Sequence, residues 1–138
     1  MKTIRDNVWL LSRLDDLWEK HFPDIPQTNK VFIKFGRYSR LRLGSIRLDR
    51  PTGHTLITIT SMFKDLSIPT EVVDHTIGHE LTHYAQGFSS PHPKLHRYPH
   101  EGGVVRRELM ARGFGKTLKV YLNWIKTYRK ELYVQSRH

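Results

Sequence analysis

The sequence predicts an α+β architecture, a small, mostly antiparallel three-stranded sheet packed on helices. Two observations carry that expectation. Between residues 30 and 60 apolar side chains alternate with polar ones in three short runs. On either side of that region they recur every three or four positions, the period of a helix with one buried face.

Residues 3 to about 21 read as the first helix, with Ile4, Val8, Leu11, Leu14 and Trp18 as its apolar stripe and Pro23 and Pro26 ending it. KVFIKFG (30–36), LGSIRLD (43–49) and HTLITIT (54–60) read as strands, the last preceded by a Pro-Thr-Gly turn. Three strands in succession favour antiparallel pairing. From Pro69 the period changes. A long helix is expected from Thr70, its N-cap, to Gly87, with Glu71 and Asp74 at its positive start. A loop rich in Pro, His and Gly follows, then helices over 104–112 and about 116–133. The expected organisation is one domain over 1–115, with a basic helix over 116–138 packed on it or extending it.

Composition narrows the chemistry. The 138 residues contain no cysteine, which excludes disulfides, thiolate metal sites and a cysteine nucleophile. Any transition metal must be held by His, Asp or Glu. No apolar run approaches the roughly 18 residues that span a bilayer. The charged N-terminus lacks the apolar block of a signal peptide, so a cytoplasmic location and no membrane partner are expected. The net charge of +10 favours polyanionic partners such as nucleic acid.

One stretch concentrates chemistry: HTIGHELTHYAQG, residues 75–87. Within it His79, Glu80 and His83 form His-Glu-x-x-His. Residues four apart lie one turn apart on one helix face, so both imidazoles can bind one Zn²⁺ at about 2.0–2.1 Å. Glu80 points roughly 100° around the axis from His79, too far to join them as a ligand. It can instead take a proton from a metal-activated water that attacks a carbonyl, then pass it to the leaving amine. A catalytic zinc wants a third protein ligand. His92, His96, His100, Glu101 and Glu108 all follow the helix. His100 stands just before a new helix, where a side chain can be aimed back; Glu108 lies inside that helix and would give a gluzincin-like site. Spacing leaves these two open. His75, two turns from His83, is expected beside the site rather than on the ion.

The order of helix and strands, with LGSIR, LITITSMFKDLSIPTEVVDHTIGHELTHYAQG and YPHEGG, resembles the SprT-like zinc metalloprotease domain over roughly residues 5–112. The resemblance implies a zincin-like metalloprotease fold and one Zn²⁺ held by His79, His83 and His100, with Glu80 as general base. It also implies protein substrates bound or crosslinked to DNA. The family usually has a His-Gly pair at the third ligand; here His100 is followed by Glu101 and then Gly102-Gly103, and the preceding loop is longer, which keeps His96 as an alternative ligand. The zinc ribbon of many bacterial members cannot occur without cysteine.

Two basic regions remain. Residues 30–50 carry seven Lys and Arg against Asp49, and from Arg106 onward nine stand against Glu108 and Glu131. Arg37, Arg40, Arg42 and Arg47 are the candidates for DNA, single-stranded above all, with Tyr38 among them. Val120, Trp124, Ile125 and Tyr128 recur at helical spacing and are expected to pack. Tyr98, His96 and Arg97 are within loop reach of a developing oxyanion. The strand at 54–60 is the expected open edge for an extended peptide. A rival class is a basic nucleic-acid-binding module whose metal is structural or absent.

Overall fold

The computed structural model describes residues 4–136; Thr3, where the first helix was expected to begin, and Arg137 of the basic tail lie outside them. The described chain is α+β, with helices α1 (Asn7–His21), α2 (Thr70–Ala85), α3 (Val104–Ala111) and α4 (Gly115–Ser136). Strands β1 (Val31–Phe35), β2 (Gly44–Asp49) and β3 (His54–Ile59) form one sheet. Short 3-10 turns at Ser61–Lys64 and Glu101–Gly103 precede α2 and α3.

The sheet is mixed rather than mostly antiparallel. Its order is β1-β3-β2, with β1 parallel to β3 and β2 antiparallel to it. The turn through Pro51 to Gly53 closes β2 onto β3 as a hairpin, as expected. The first connection does not make a second hairpin. Residues 36–43 cross the end of β3, where Ser39 N–H donates to Thr60 Oγ1 (2.9 Å) and the Thr60 hydroxyl donates to Ser39 O (2.8 Å). Charge explains why β3 takes the centre. HTLITI carries no Lys, Arg, Asp or Glu and buries Thr55, Ile57 and Ile59, whereas Lys34, Arg47 and Asp49 suit the edges.

This order corrects the expected peptide-binding edge, because β3 is paired with a strand on both sides and β2, among the described residues, on one only. Thr60 N–H donates to the Leu43 carbonyl (2.9 Å), so Ser45 and Arg47 also turn their backbone toward β3. Gly44 and Ile46 therefore turn theirs outward. The Ile46 carbonyl accepts from the Ser89 hydroxyl at 3.4 Å, consistent with that facing.

Helix α1 is offset from its expected stripe. Leu10, Leu14 and Leu17 are buried, while Val8 is 75% and Leu11 47% exposed. A shift of one residue turns the helix by roughly 100°. The turned face also aims Arg13 at Asp74 of α2, in a two-pronged contact of 2.9 and 2.8 Å. Thr70 does not cap α2 with its side chain; its hydroxyl accepts from Arg5 at 3.3 Å. Arg5 is itself buried and donates to the carbonyls of Phe63, Asp65 and Ile68, fixing the approach to α2.

The core gathers around α2. Val72, Val73 and Ile77 are fully buried, as are Ile57 and Ile59 of β3 and Phe114 between α3 and α4. Helix α4 packs through Leu118, Ile125 and Tyr128, with Trp124 stacked on Tyr128 at 4.6 Å and edge-on to Phe63, so Trp124 and Tyr128 pack as their spacing implied, while Tyr133 is 61% exposed. Among the described residues, no helix is long and apolar enough to cross a membrane.

Gly78 sets how closely α2 meets Phe114, since a Cβ there would lie 2.6 Å from Phe114 Cε1 and 2.8 Å from Cζ. Alanine gains about 1 kcal/mol of helix propensity. Overpacking the fully buried Phe114 ring costs about 1–3 kcal/mol. The second effect should win, so Gly78→Ala is expected to lower the urea midpoint by the equivalent of about 1 kcal/mol. An unchanged or higher midpoint would contradict this packing.

Candidate metal centre

Helix α2 presents His79 and His83 one turn apart, and the residue before the Glu101–Gly103 turn presents His100 to meet them. The three Nε2 atoms lie 3.1 Å from one another in every pairing. A neutral imidazole Nε2 either donates or accepts, so three mutual contacts cannot alternate, and at least one must set like against like. A cation resolves this conflict, because all three nitrogens can then turn lone pairs inward. A point about 2.0–2.1 Å from each atom, the usual zinc–imidazole distance, exists just off the plane of such a triangle. The donor set therefore fits a divalent ion. Among the described residues, these three histidines form the group of metal-ligating side chains close enough to share one.

Electrostatics favour the same state. Burial, with the neighbouring imidazoles, takes His79 down to about 3; burial and His100 take His83 down to about 4. At neutral pH both rings are uncharged, the form that binds metal. Glu80 is buried, and its carboxyl is pushed up to about 7 by desolvation, against the pull of Arg42. It faces the cleft without joining the triad.

Local sequence explains the placement. Gly44 lets β2 lie against α2, for a Cβ there would meet Thr76 Cγ2 at 2.8 Å and Glu80 Cγ at 3.6 Å. Across the cleft, Glu101 staples the loop behind His100, its Oε1 accepting from Arg97 N–H (2.5 Å) and Tyr98 N–H (3.3 Å). Gly102 and Gly103 then turn the chain into α3 with φ of 55° and 70°, and the Arg107 guanidinium donates to the Gly102 carbonyl. Sequence reasoning listed Glu101 as a ligand candidate and missed this role.

The other candidates disperse. Glu108 accepts from Gln86 Nε2 and Arg112 Nε, each at 3.0 Å, and stands outside the triad. His92 Nε2 lies 2.7 Å from the Pro26 carbonyl oxygen, and His96 is half-buried outside the group. His75 stacks on Tyr121, with ring centroids 3.7 Å apart, and lies outside the group of three.

Three cavities of about 250, 340 and 370 Å³ meet at His79. Tyr98, His96 and Arg97 line none of them, so their expected place beside an oxyanion is not where the fold puts them. Arg42 and Tyr121 line the cavity that also holds Glu80. Tyr121 carried no local signal, since only the packing of α4 brings it to α2. Arg37, Arg40 and Arg47 are exposed, Arg47 lying 3.7 Å from Asp49. Arg42 differs from them in facing the cleft.

Compared with known proteins, the chain matches no family model, no curated protein and no solved structure.

Zinc titration of the metal-free protein checks the triad. Alanine at His79, His83 or His100 is expected to weaken zinc binding by at least about a hundredfold, a ligand counting for no less than its supporting partner. Glu108→Ala should leave the affinity within about twofold of wild type, because its partners are Gln86 and Arg112. Comparable losses at Glu108 and His100 would reverse the assignment.

Proposed function

We propose that the protein is a zinc-dependent endopeptidase of the SprT-like, zincin type. The observation that supports this most is the convergence of His79, His83 and His100 beside a buried glutamate, in a cleft bordered by an open strand edge.

In this reading the three imidazoles hold one Zn²⁺. The bound ion supplies Lewis acidity, polarising a carbonyl and acidifying a water. An extended peptide adds to the outward edge of β2, taking backbone hydrogen bonds from Gly44 and Ile46. The Glu80 carboxylate accepts the proton of the attacking water and delivers it to the nitrogen of the departing amine. In the metal-free chain burial raises this carboxyl to about 7, and with a cation on the triad it is drawn back down toward the ionised form that accepts a proton. Tyr121 and Arg42 are the donors at hand for negative charge developing on the carbonyl oxygen.

DNA-associated proteins are the proposed substrate class, on the strength of the family resemblance and the charge of +10. The rival reading, a nucleic-acid-binding module without proteolysis, draws on Tyr38, 63% exposed among Arg37 and Arg40.

The test is Glu80→Gln. Cleavage of a DNA-bound protein by the zinc-loaded chain should fall by about 10²–10⁴-fold, the usual worth of a positioned acid–base group, with zinc content unchanged. A variant that cleaves like wild type removes Glu80 from the mechanism. Salt-sensitive DNA binding by wild type, with no cleavage of any protein with or without DNA, would favour the rival.

A further inference from the structure

The cavity of about 250 Å³ between α2, α3 and α4 opens beside His79 and His100. Its floor is apolar, made by the buried Val105, Leu109, Leu118 and Ile125. Arg106 of α3 and Arg129 of α4 stand over that floor, and neither belongs to any of the five ion pairs among the described residues. Both lie near the His75–Tyr121 stack: each holds the Tyr121 hydroxyl down against the upward push of burial, and Arg106 adds to the lowering of His75. Glu80 supplies the only carboxyl in the lining of the three cavities at the triad, and it is absent from this one.

Both arginines are exposed at the mouth of the cavity with no carboxylate partner among the described residues, so an anion entering it gains charge-assisted hydrogen bonds. The apolar floor asks in addition for methylenes. We infer that this cavity is a specificity pocket for a substrate residue bearing a carboxylate on a short alkyl stem, a glutamate side chain above all. The occupant is a peptide only if the proposed hydrolytic reading holds. A strand added antiparallel to β2 runs from the Ile46 end toward Gly44, past His79, and on toward Tyr121. The pocket then receives the residue on the C-terminal side of the bond under attack. Arg106 and Arg129 are thus specificity residues and take no part in proton transfer.

The test uses the full zinc-loaded chain carrying Glu80→Gln, so that binding is read without turnover. The probes are fluorescein-labelled alanine hexapeptides, C-terminally amidated, in which Glu, Gln or Lys is moved through each position. At one position Glu should bind about tenfold tighter than Gln, and Lys weaker than both. Arg106→Glu with Arg129→Glu should reverse the order, so that Lys binds best; a gain of that kind cannot arise from misfolding. Equal binding of the three residues at every position overturns the proposal. So does preference for a free-acid Gln peptide over the amidated Glu peptide, which would mean that the pocket reads a chain terminus. Wild-type digestion of the same peptides separates the two readings. Cleavage without charge preference leaves the hydrolase and sinks the pocket; acidic binding preference without cleavage sinks the hydrolase and leaves only an anion-binding cavity, not a substrate pocket.

Discussion

Thirteen of the sixteen residues of α2 are buried, and six of these thirteen are polar: Asp74, His75, Thr76, Glu80, Thr82 and His83. A polar helix sunk in a core is stable only if each polar group is answered or kept uncharged. Thr76 and Thr82 donate to the carbonyls one turn back, at 3.0 and 2.8 Å. Burial raises the Asp74 carboxyl, and Arg13 of α1 opposes that with its two-pronged contact. The histidines and Glu80 are answered differently, being pushed toward neutrality and turned to the cleft. The remaining elements can be understood as packing around these requirements: α1 brings Arg13, β2 brings the glycine that can approach Glu80, and α4 brings the ring that covers His75.

Much of this was legible in the sequence because the local signals are strong. The strands fall within a residue or so of their expected bounds, since alternation is interrupted by Gly36, Gly44 and Gly53. The sheet order departs from the expected one because strands that follow one another in the chain, β1 and β2, are not neighbours in space. A usable signal was present, for the strand without charged residues belongs in the centre. Helix α1 offered two stripes one residue apart, and periodicity alone could not rank them. The difference lies in partners: Arg13, on the correct face, answers a carboxylate 61 residues away.

At the centre, the spacing of His79 and His83 was informative because a single helix fixes it. His100 could not be separated from Glu108 by spacing, since the intervening turn depends on Glu101 and two glycines whose conformation is not a local certainty. The cleft walls were illegible for a plainer reason. Tyr121, Arg106 and Arg129 reach the site only through packing between α2, α3 and α4, and no pattern within 104–136 points back to residue 79.

The order in which these parts follow one another in the chain has a consequence for synthesis. A ribosome delivers the three histidines, the last at residue 100, before it delivers the α4 wall through Tyr121 and Arg129. A nascent chain therefore carries the three histidines of the triad while one side of the cleft is still missing. In the proposed reading, the wall that would select a substrate is completed only after the residues that would hold the ion have been made.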